Sequence, residues 1–107
     1  MEIRQYQIIL VNLDPTVGRE IKKTRPCVVI SPKEMNKYLG TLVIAPMTST
    51  LKNYPTRIPV RHQGKEGMVA IDQIRTIDKS RVIKVLGNLT SIEINQIKDK
   101  IKETFVD

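Results

Sequence analysis

Residues 13–31 read Leu-Asp-Pro-Thr-Val-Gly-Arg-Glu-Ile-Lys-Lys-Thr-Arg-Pro-Cys-Val-Val-Ile-Ser and place a polar, basic loop between two apolar strand candidates. Five charged residues fall within seven positions of this loop, namely Arg19, Glu20, Lys22, Lys23 and Arg25. Because the residue before a proline is steered toward extended backbone, we expect Arg25 at a fixed loop-to-strand junction. A guanidinium held in place is suited to binding phosphate, although a cluster of charges alone is more often a solvated loop.

The size and charge of the chain narrow its class. Its 107 residues predict one domain over residues 1–107, and the hydrophobic fraction of 40% is ordinary for a folded protein. Lys and Arg number 18 against 11 Asp and Glu, which gives a formal charge of +7. This excess of positive charge favours an acidic partner, such as nucleic acid.

The cysteine, histidine and hydropathy patterns exclude several other classes. Cys27 is the only cysteine, so no internal disulfide can form, and its apolar surroundings predict a buried thiol in a cytoplasmic protein. With one His and one Cys and no nucleotide-binding or serine-hydrolase motif, we expect no metal and no cofactor. No signal peptide and no membrane-spanning run are expected either.

Short apolar segments recur at intervals of roughly ten residues, a pattern typical of small antiparallel β domains. Pro46 predicts an edge or a bulge near the end of its strand, and Pro59 predicts an edge. Gly87 is expected to end the last strand. A single helical turn should start at Pro32, and residues 61–67 are predicted as a hairpin loop. The predicted strands are 7–13, 26–31, 41–47, 56–60 and 68–71, with one or two more between 77 and 86.

The C-terminal segment carries the signals of one longer helix. Thr90 and Glu93 have the spacing of a capping box, and Leu89 and Ile94 that of a hydrophobic staple. Apolar residues then recur at helical spacing: Ile94, Ile97, Ile101 and Phe105. The sequence therefore predicts a mainly β fold, a small antiparallel barrel or half-open roll with a C-terminal helix over one face.

Phosphodiester cleavage is one chemistry that the residues can support. The RNA 2′-hydroxyl is an internal nucleophile, so the protein needs mainly to stabilise charge. Arg25 could clamp the phosphate, Thr48 could add a hydroxyl, and Glu20 or Asp72 could relay a proton. Each has a structural alternative: Thr48 as a loop cap, Glu20 paired with a lysine, and Asp72 holding a turn. His62 is expected to be a solvated loop residue.

The chain resembles the MazF/PemK family of toxin endoribonucleases through several motifs that occur in the family's order. They are Leu13-Asp14-Pro15-Thr16-Val17-Gly18-Arg19-Glu20, Thr24-Arg25-Pro26, Val29-Ile30-Ser31-Pro32, Ala45-Pro46-Met47-Thr48, Tyr54-Pro55 and Asp72-Gln73-Ile74-Arg75-Thr76-Ile77-Asp78. The resemblance implies an SH3-like barrel of the CcdB/PemK type. It also implies a homodimer that cuts single-stranded mRNA without metal, leaves 2′,3′-cyclic phosphate and 5′-hydroxyl ends, and is held inactive by a MazE/PemI-like antitoxin.

By position in the family motifs, Arg25 matches the transition-state arginine, Thr48 the phosphate-positioning threonine and Glu20 the acidic residue of the first loop. One branch of the family uses an Arg two residues before the Asp and a His before the Glu, where this chain has Ala70 and Arg19. This difference favours the scheme with Arg25 and Thr48 and leaves the general base unassigned.

Further RNA contacts are expected from basic, polar and aromatic side chains near these motifs, with Tyr54 as the best candidate for stacking on a base. The full set is Arg19, Lys22, Lys23, Ser49, Lys52, Tyr54, Arg57, Asp72, Gln73 and Arg75. Two alternatives remain: a CcdB-like toxin that binds and poisons DNA gyrase without catalysis, and an RNA-binding barrel that does not cut.

Overall fold

Seven antiparallel strands form one curled sheet in the computed structural model, which describes residues 2–106. Single helical turns occupy Ile71–Gln73 and Lys79–Arg81, and Lys102–Val106 continues the last helix as a π-helix. The strands are β1 (Gln7–Asn12), β2 (Thr24–Val29), β3 (Thr41–Thr48), β4 (Arg57–His62), β5 (Lys65–Ala70), β6 (Arg75–Asp78) and β7 (Val82–Asn88). The helices are α1 (Lys33–Tyr38) and α2 (Ser91–Ile101), so the prediction of a mainly β fold with a C-terminal helix is confirmed.

The sheet curls at β3, which has different partners along its length. The strand order is β4-β5-β3-β2-β1-β7, and β6 pairs with β3 outside this path. Residues 41–44 of β3 pair with β6, whereas Met47 and Thr48 pair with β5. Pro46 lies at this change of partner and is fully buried opposite Cys27. Of the two predicted alternatives, an edge or a bulge, the edge is therefore wrong. The proline is tolerated there because the hydrogen-bond ladder that β3 forms first with β6 and then with β5 is interrupted at that point.

The central strands are buried on both faces, which explains why their sequences are continuous apolar runs rather than alternating patterns. Successive residues point to opposite faces of a strand and join different hydrophobic clusters. One cluster includes Ile8, Val28, Ala45, Val69 and Ile97. The other includes Ile9, Cys27, Val29, Ile44 and Ile77.

Helix α2 covers the first of these clusters and begins as predicted. Thr90 and Glu93 form the capping box, with the Thr90 hydroxyl accepting from the Glu93 N–H at 3.2 Å. Ile97 is fully buried, but Phe105 is 59% exposed, against the prediction. The α-helical spacing ends at Ile101, and the π-helical turn that follows rotates Phe105 away from the core. No helix within residues 2–106 is long and apolar enough to cross a membrane.

The β4–β5 hairpin is tighter than predicted. The strands continue to His62 and from Lys65, so the turn consists of Gln63 and Gly64 alone, with φ angles of 52° and 75°. A two-residue turn in which both φ angles are positive matches the right-handed twist of the strands that it joins. Pro59 lies on β4 at the end of the sheet, as predicted. Gly87 continues β7 opposite Ile8, next to a register shift, so it does not end the strand.

The capping box makes a measurable contribution to stability. We expect Thr90→Ala to lower the free energy of unfolding by about 1 kcal/mol, because the Glu93 N–H loses its acceptor at the first turn of α2. Urea denaturation at neutral pH measures the difference. Thr90→Ser, which keeps the hydroxyl, and Ser91→Ala serve as controls with smaller losses. Equal stability of Thr90→Ala and the unmodified protein would contradict the role of the cap.

Candidate active site

A groove of about 270 Å³ opens where β2 begins, β3 ends and the β4–β5 hairpin turns. In the β2–β3 register Cys27 faces Pro46, and continuing that register by two residues brings Arg25 opposite Thr48. The polar side chains lining the groove are Arg25, Thr48, Ser49, His62, Gln63, Lys65 and Glu66. We refer to this cavity as the Arg25 groove; it brings together Arg25 and Thr48, which are distant in the sequence.

Arg25 is the second residue of β2 rather than the last residue of the loop, and it pairs with Val11. Its side chain is half-buried, and the guanidinium Nε donates to the carbonyl oxygen of Lys22 at 2.8 Å. The Nη groups have no hydrogen-bond partner within residues 2–106. The bond to Lys22 therefore fixes one edge of the guanidinium and leaves the donors that bind a phosphate in a fork unpaired.

Thr48 is 8% exposed at the end of β3. Its hydroxyl oxygen accepts from the Thr50 N–H at 3.2 Å, which is the loop-capping role foreseen as an alternative. A hydroxyl that accepts one bond still has its own proton to donate. Thr48 can therefore hold the chain at residues 48–50 and also offer a donor to the Arg25 groove.

His62 was predicted to be a solvated loop residue, and this prediction is wrong. It is the last residue of β4 and is half-buried. Its ring packs over Gly87, where an added Cβ would lie 3.2 Å from the His62 Cε1. The ring nitrogen Nε2 is buried and has no hydrogen-bond partner within residues 2–106. The signal in the sequence was Gln63-Gly64, a pair that can form a two-residue turn and so extends β4 to His62.

Glu20 lies in a second cavity, of about 410 Å³, which we call the Glu20 pocket. Its carboxylate accepts from the Val17 N–H at 2.7 Å, and Gln73 Oε1 accepts from the Ile21 N–H at 2.6 Å. Arg75 donates to the carbonyl oxygen of Leu13 at 3.2 Å. The pocket is lined by Arg19, Glu20, Asp72, Gln73 and Arg75, with Pro46 and other apolar residues. The structure thus separates Glu20 and Asp72 from the groove that holds Arg25 and Thr48.

Asp72 is held by Thr56, which precedes β4, and by Arg57, the first residue of β4. Its Oδ1 accepts from the Thr56 hydroxyl and from Arg57 Nε, each at 2.9 Å, and Oδ2 accepts from Arg57 Nη2 at 3.3 Å. Burial raises the pKa of Asp72, but the hydrogen bonds from Arg57 and Thr56 outweigh it, so the pKa lies below its ordinary value. Asp72 is therefore an ionised anchor and a poor proton acceptor at neutral pH.

Tyr54 lies beside this anchor and is 49% exposed. The Arg57 guanidinium lies 5.2 Å from the centre of the Tyr54 ring, and the Lys52 Nζ lies 5.9 Å from it. Cations at these distances hold an aromatic ring through cation–π attraction. The two basic side chains thus orient a ring that still offers half of its surface to solvent.

The basic loop is ordered by bonds from its own backbone. The Lys23 N–H donates to Asp14 Oδ1 at 3.1 Å, and the Lys23 carbonyl accepts from the Leu13 N–H at 3.0 Å. The side chains of Lys22 and Lys23 are exposed.

Cys27 is fully buried, and burial raises its pKa to about 12 although Arg75 and Arg25 lower it. The prediction of a buried thiol is confirmed, and such a thiol is an unreactive one.

Comparisons with known proteins agree with these features. The Escherichia coli (strain K12) endoribonuclease toxin MazF is 34% identical over 95 residues, which cover 88% of this chain and 86% of that protein. The crystal structure of MazF (Form-I) from Deinococcus radiodurans has a TM-score of 0.89 at 25% identity and covers 100% of this chain and 99% of that chain. The MazE-MazF crystal structure (Form-II) from the same organism gives a TM-score of 0.80 at 26% identity, with coverage of 96% and 95%.

The match also extends to the family as a whole. The model of the PemK-like, MazF-like toxins of type II toxin-antitoxin systems matches residues 4–105. This range includes every strand, both helices and all residues of the Arg25 groove. The chain therefore belongs to the family of PemK-like, MazF-like toxins of type II toxin-antitoxin systems.

Proposed function

We propose that this toxin is a metal-independent, sequence-selective endoribonuclease that cleaves single-stranded mRNA and so inhibits translation and growth. The observation that carries the proposal is that Arg25 and Thr48, distant in sequence, line one groove. The E. coli relative, named as an endoribonuclease toxin, supports the same activity. Within residues 2–106, no group of three or more His, Cys, Asp and Glu side chains is placed to hold a metal ion.

In the proposed reaction the RNA 2′-oxygen attacks the adjacent phosphorus. The bond from the 2′-oxygen to phosphorus forms as the bond from phosphorus to the 5′-oxygen breaks, which leaves a 2′,3′-cyclic phosphate and a 5′-hydroxyl. The unpaired Nη groups of Arg25 stabilise the negative charge that grows on the phosphoryl oxygens. The Thr48 hydroxyl donates to the same group and holds it in place.

Glu20 contributes to this reaction through the loop that it stabilises. Its carboxylate accepts from the Val17 N–H, and it lines the Glu20 pocket rather than the Arg25 groove. We therefore assign Glu20 as a positioning residue for the segment that leads into Arg25. The two cavities adjoin across β3, since Pro46 lines one while Met47 and Thr48 line the other.

RNA on either side of the scissile phosphate would contact the remaining residues of the predicted set. Lys22, Lys23 and Lys52 are exposed and attract the phosphate backbone in a salt-dependent way. Tyr54 supplies a half-exposed ring on which a base can stack. The polar groups available for contacts beside the cleavage site are Ser49 in the Arg25 groove and Arg19, Asp72, Gln73 and Arg75 in the Glu20 pocket, with Arg57 behind Tyr54.

The partners are proposed on the family's general properties and on one feature of the surface. β7 forms one end of the sheet, with Ile83 and Val85 51% and 36% exposed, and an apolar end strand favours association into a homodimer. A MazE-like antitoxin is proposed because a chain with the same fold occurs in the MazE-MazF crystal structure (Form-II) from D. radiodurans. The site of action would be the cytoplasm, where mRNA is found. The alternative of a gyrase poison is not favoured, since the relatives are endoribonucleases.

The first prediction concerns Arg25. We expect Arg25→Ala to reduce the rate of cleavage of a long single-stranded RNA by on the order of 10²- to 10³-fold, because the transition-state charge loses its cation. The assay contains EDTA and follows fragment release on a gel. Arg4→Ala is the matched control, since Arg4 is an exposed arginine outside the groove. Full activity of Arg25→Ala would contradict the mechanism, and an inactive unmodified protein would contradict the enzyme class.

The second prediction concerns Asp72, which we assign a structural role. Its pKa is lowered in the folded state, so the stability it supplies is fully present above the unfolded value of 3.8 and is lost as the pH falls below it. We expect Asp72→Asn to reduce the free energy of unfolding by about 1 kcal/mol at pH 7 and by less below pH 3.8.

Denaturant titrations of the Asp72→Asn variant at several pH values measure this effect. Asp99→Asn, at an exposed position on α2, provides the control and should change stability little at any pH. The kcat of folded Asp72→Asn at saturating RNA should stay within a few-fold of normal at pH 7. A loss comparable to that of Arg25→Ala would instead make Asp72 part of the chemistry.

A further inference from the structure

We propose that His62 is the general base of the cleavage reaction and takes the 2′-hydroxyl proton within the Arg25 groove. This inference rests on the proposed endoribonuclease activity and assigns the one step that Arg25 and Thr48 cannot perform. An arginine is protonated at all physiological pH values, and a threonine hydroxyl is a very weak base. Removal of the nucleophile's proton therefore needs another group in the same groove.

The groove itself narrows the choice of base. Besides Arg25, its ionisable side chains are His62, Lys65 and Glu66. A lysine is protonated at neutral pH and has no lone pair to offer. Glu66 is exposed, and its Oε1 accepts from Arg61 Nη2 at 2.8 Å. His62 is the side chain whose type accepts and releases protons near neutral pH.

The two carboxylates considered from the sequence lie elsewhere. Glu20 and Asp72 both line the Glu20 pocket, and neither lines the Arg25 groove. Asp72 also accepts hydrogen bonds from Thr56 and Arg57, which stabilise its ionised form. A base must come within hydrogen-bond reach of the proton that it removes. The location of His62 meets this condition better than that of either carboxylate.

The surroundings of the His62 imidazole also support its role as the base. Nε2 is buried without a partner within residues 2–106, and an unpaired buried polar atom calls for an explanation. Gly87 lies against the ring and leaves it just enough space, since a Cβ there would approach Cε1 to 3.2 Å. Because Nε2 is buried, a substrate in the groove cannot reach it. Nδ1 is not buried in this way and makes no hydrogen bond within residues 2–106, so Nδ1 is the nitrogen available to the substrate.

Charged groups from several elements surround His62. β2 contributes Arg25 and β5 contributes Lys65 and Glu66, while β7 contributes Leu86 and Gly87, which carry no charge. The carboxylate of Glu93 on α2 lies near enough to attract the imidazole. Burial raises the pKa of Glu93, but N–H donors from Thr90 and Arg61 and attraction to His62 outweigh it, so this pKa is lowered. An ionised Glu93 therefore places a negative charge close to the imidazole.

The reaction balances with a single histidine. The 2′-hydroxyl proton passes to the imidazole as the 2′-oxygen bonds to phosphorus. The electron pair of the broken bond leaves with the 5′-oxygen, which takes a proton from water or from the imidazolium. No oxidation or reduction occurs, and the imidazole is neutral again when the products leave.

The test measures kcat and KM for cleavage of a short single-stranded RNA in EDTA over pH 5–8. For the unmodified protein we expect kcat to fall as the pH drops, because protonated imidazole cannot act as a base. For His62→Ala we expect kcat to fall by on the order of 10²- to 10⁴-fold with KM nearly unchanged. The acidic decline should disappear from its pH profile, and added imidazole should restore part of the rate.

A second pair of variants keeps the histidine and moves it. Gly87→Ala places a methyl group against the ring and should lower kcat several-fold, whereas Gly40→Ala, whose Cβ would meet nothing within 4 Å, should not. Circular dichroism and thermal melts confirm that each variant is folded. If Gly87→Ala is folded and has normal kcat, the position of the ring is unimportant and the proposal fails.

The remaining outcomes separate the two proposals. An unmodified protein without activity overturns the proposed endoribonuclease function and this inference with it. An active protein whose His62→Ala variant keeps its kcat and its acidic decline overturns only the role of His62. A rise in KM with an unchanged kcat would likewise contradict proton transfer and make His62 a binding residue.

Discussion

The pairing of β2 with β3 is the interaction on which the rest of this structure depends. Cys27, Val28 and Val29 face Pro46, Ala45 and Ile44 in a fixed register, and these residues are buried on both faces of the sheet. A shift of this register by one residue would turn the side chains of the shifted strand to the opposite face of the sheet. Both hydrophobic clusters would then lose residues that they need. Since Arg25 and Thr48 lie just beyond this pairing, the hydrophobic core itself sets the distance between the two residues of the proposed phosphate site.

Much of the fold was accessible from the sequence because local signals and the final structure agree. The apolar run before Asp14-Pro15, the capping box at Thr90 and the turn residues all act over short distances. Local patterns wrongly predict a sheet edge at Pro46 and a core position for Phe105. Pro46 occupies a change of strand partner, and Phe105 follows a π-helical turn, and both depend on how distant segments meet.

In the candidate site, too, the sequence identifies individual residues but not which of them come together. Order along the chain pointed to Arg25, Thr48 and Glu20 together, but the curled sheet places Glu20 in a neighbouring pocket with Asp72. The sequence pattern predicts a longer hairpin loop around His62, which would leave its side chain in solvent. The tight turn at Gln63-Gly64 carries it instead into the groove beside Thr48. A sequence lists which groups are present, whereas strand register decides which of them share a cavity.

The chemistry of the ends left on the RNA tests the central claim most directly. A single-stranded RNA is incubated with the purified protein in EDTA, and the fragment ends are identified by mass spectrometry. Attack by the 2′-hydroxyl, assisted by Arg25 and Thr48, predicts 2′,3′-cyclic phosphates and 5′-hydroxyls, and no cut at a nucleotide that carries a 2′-deoxy sugar. Fragments with 5′-phosphates, or cleavage at the 2′-deoxy position, would contradict it.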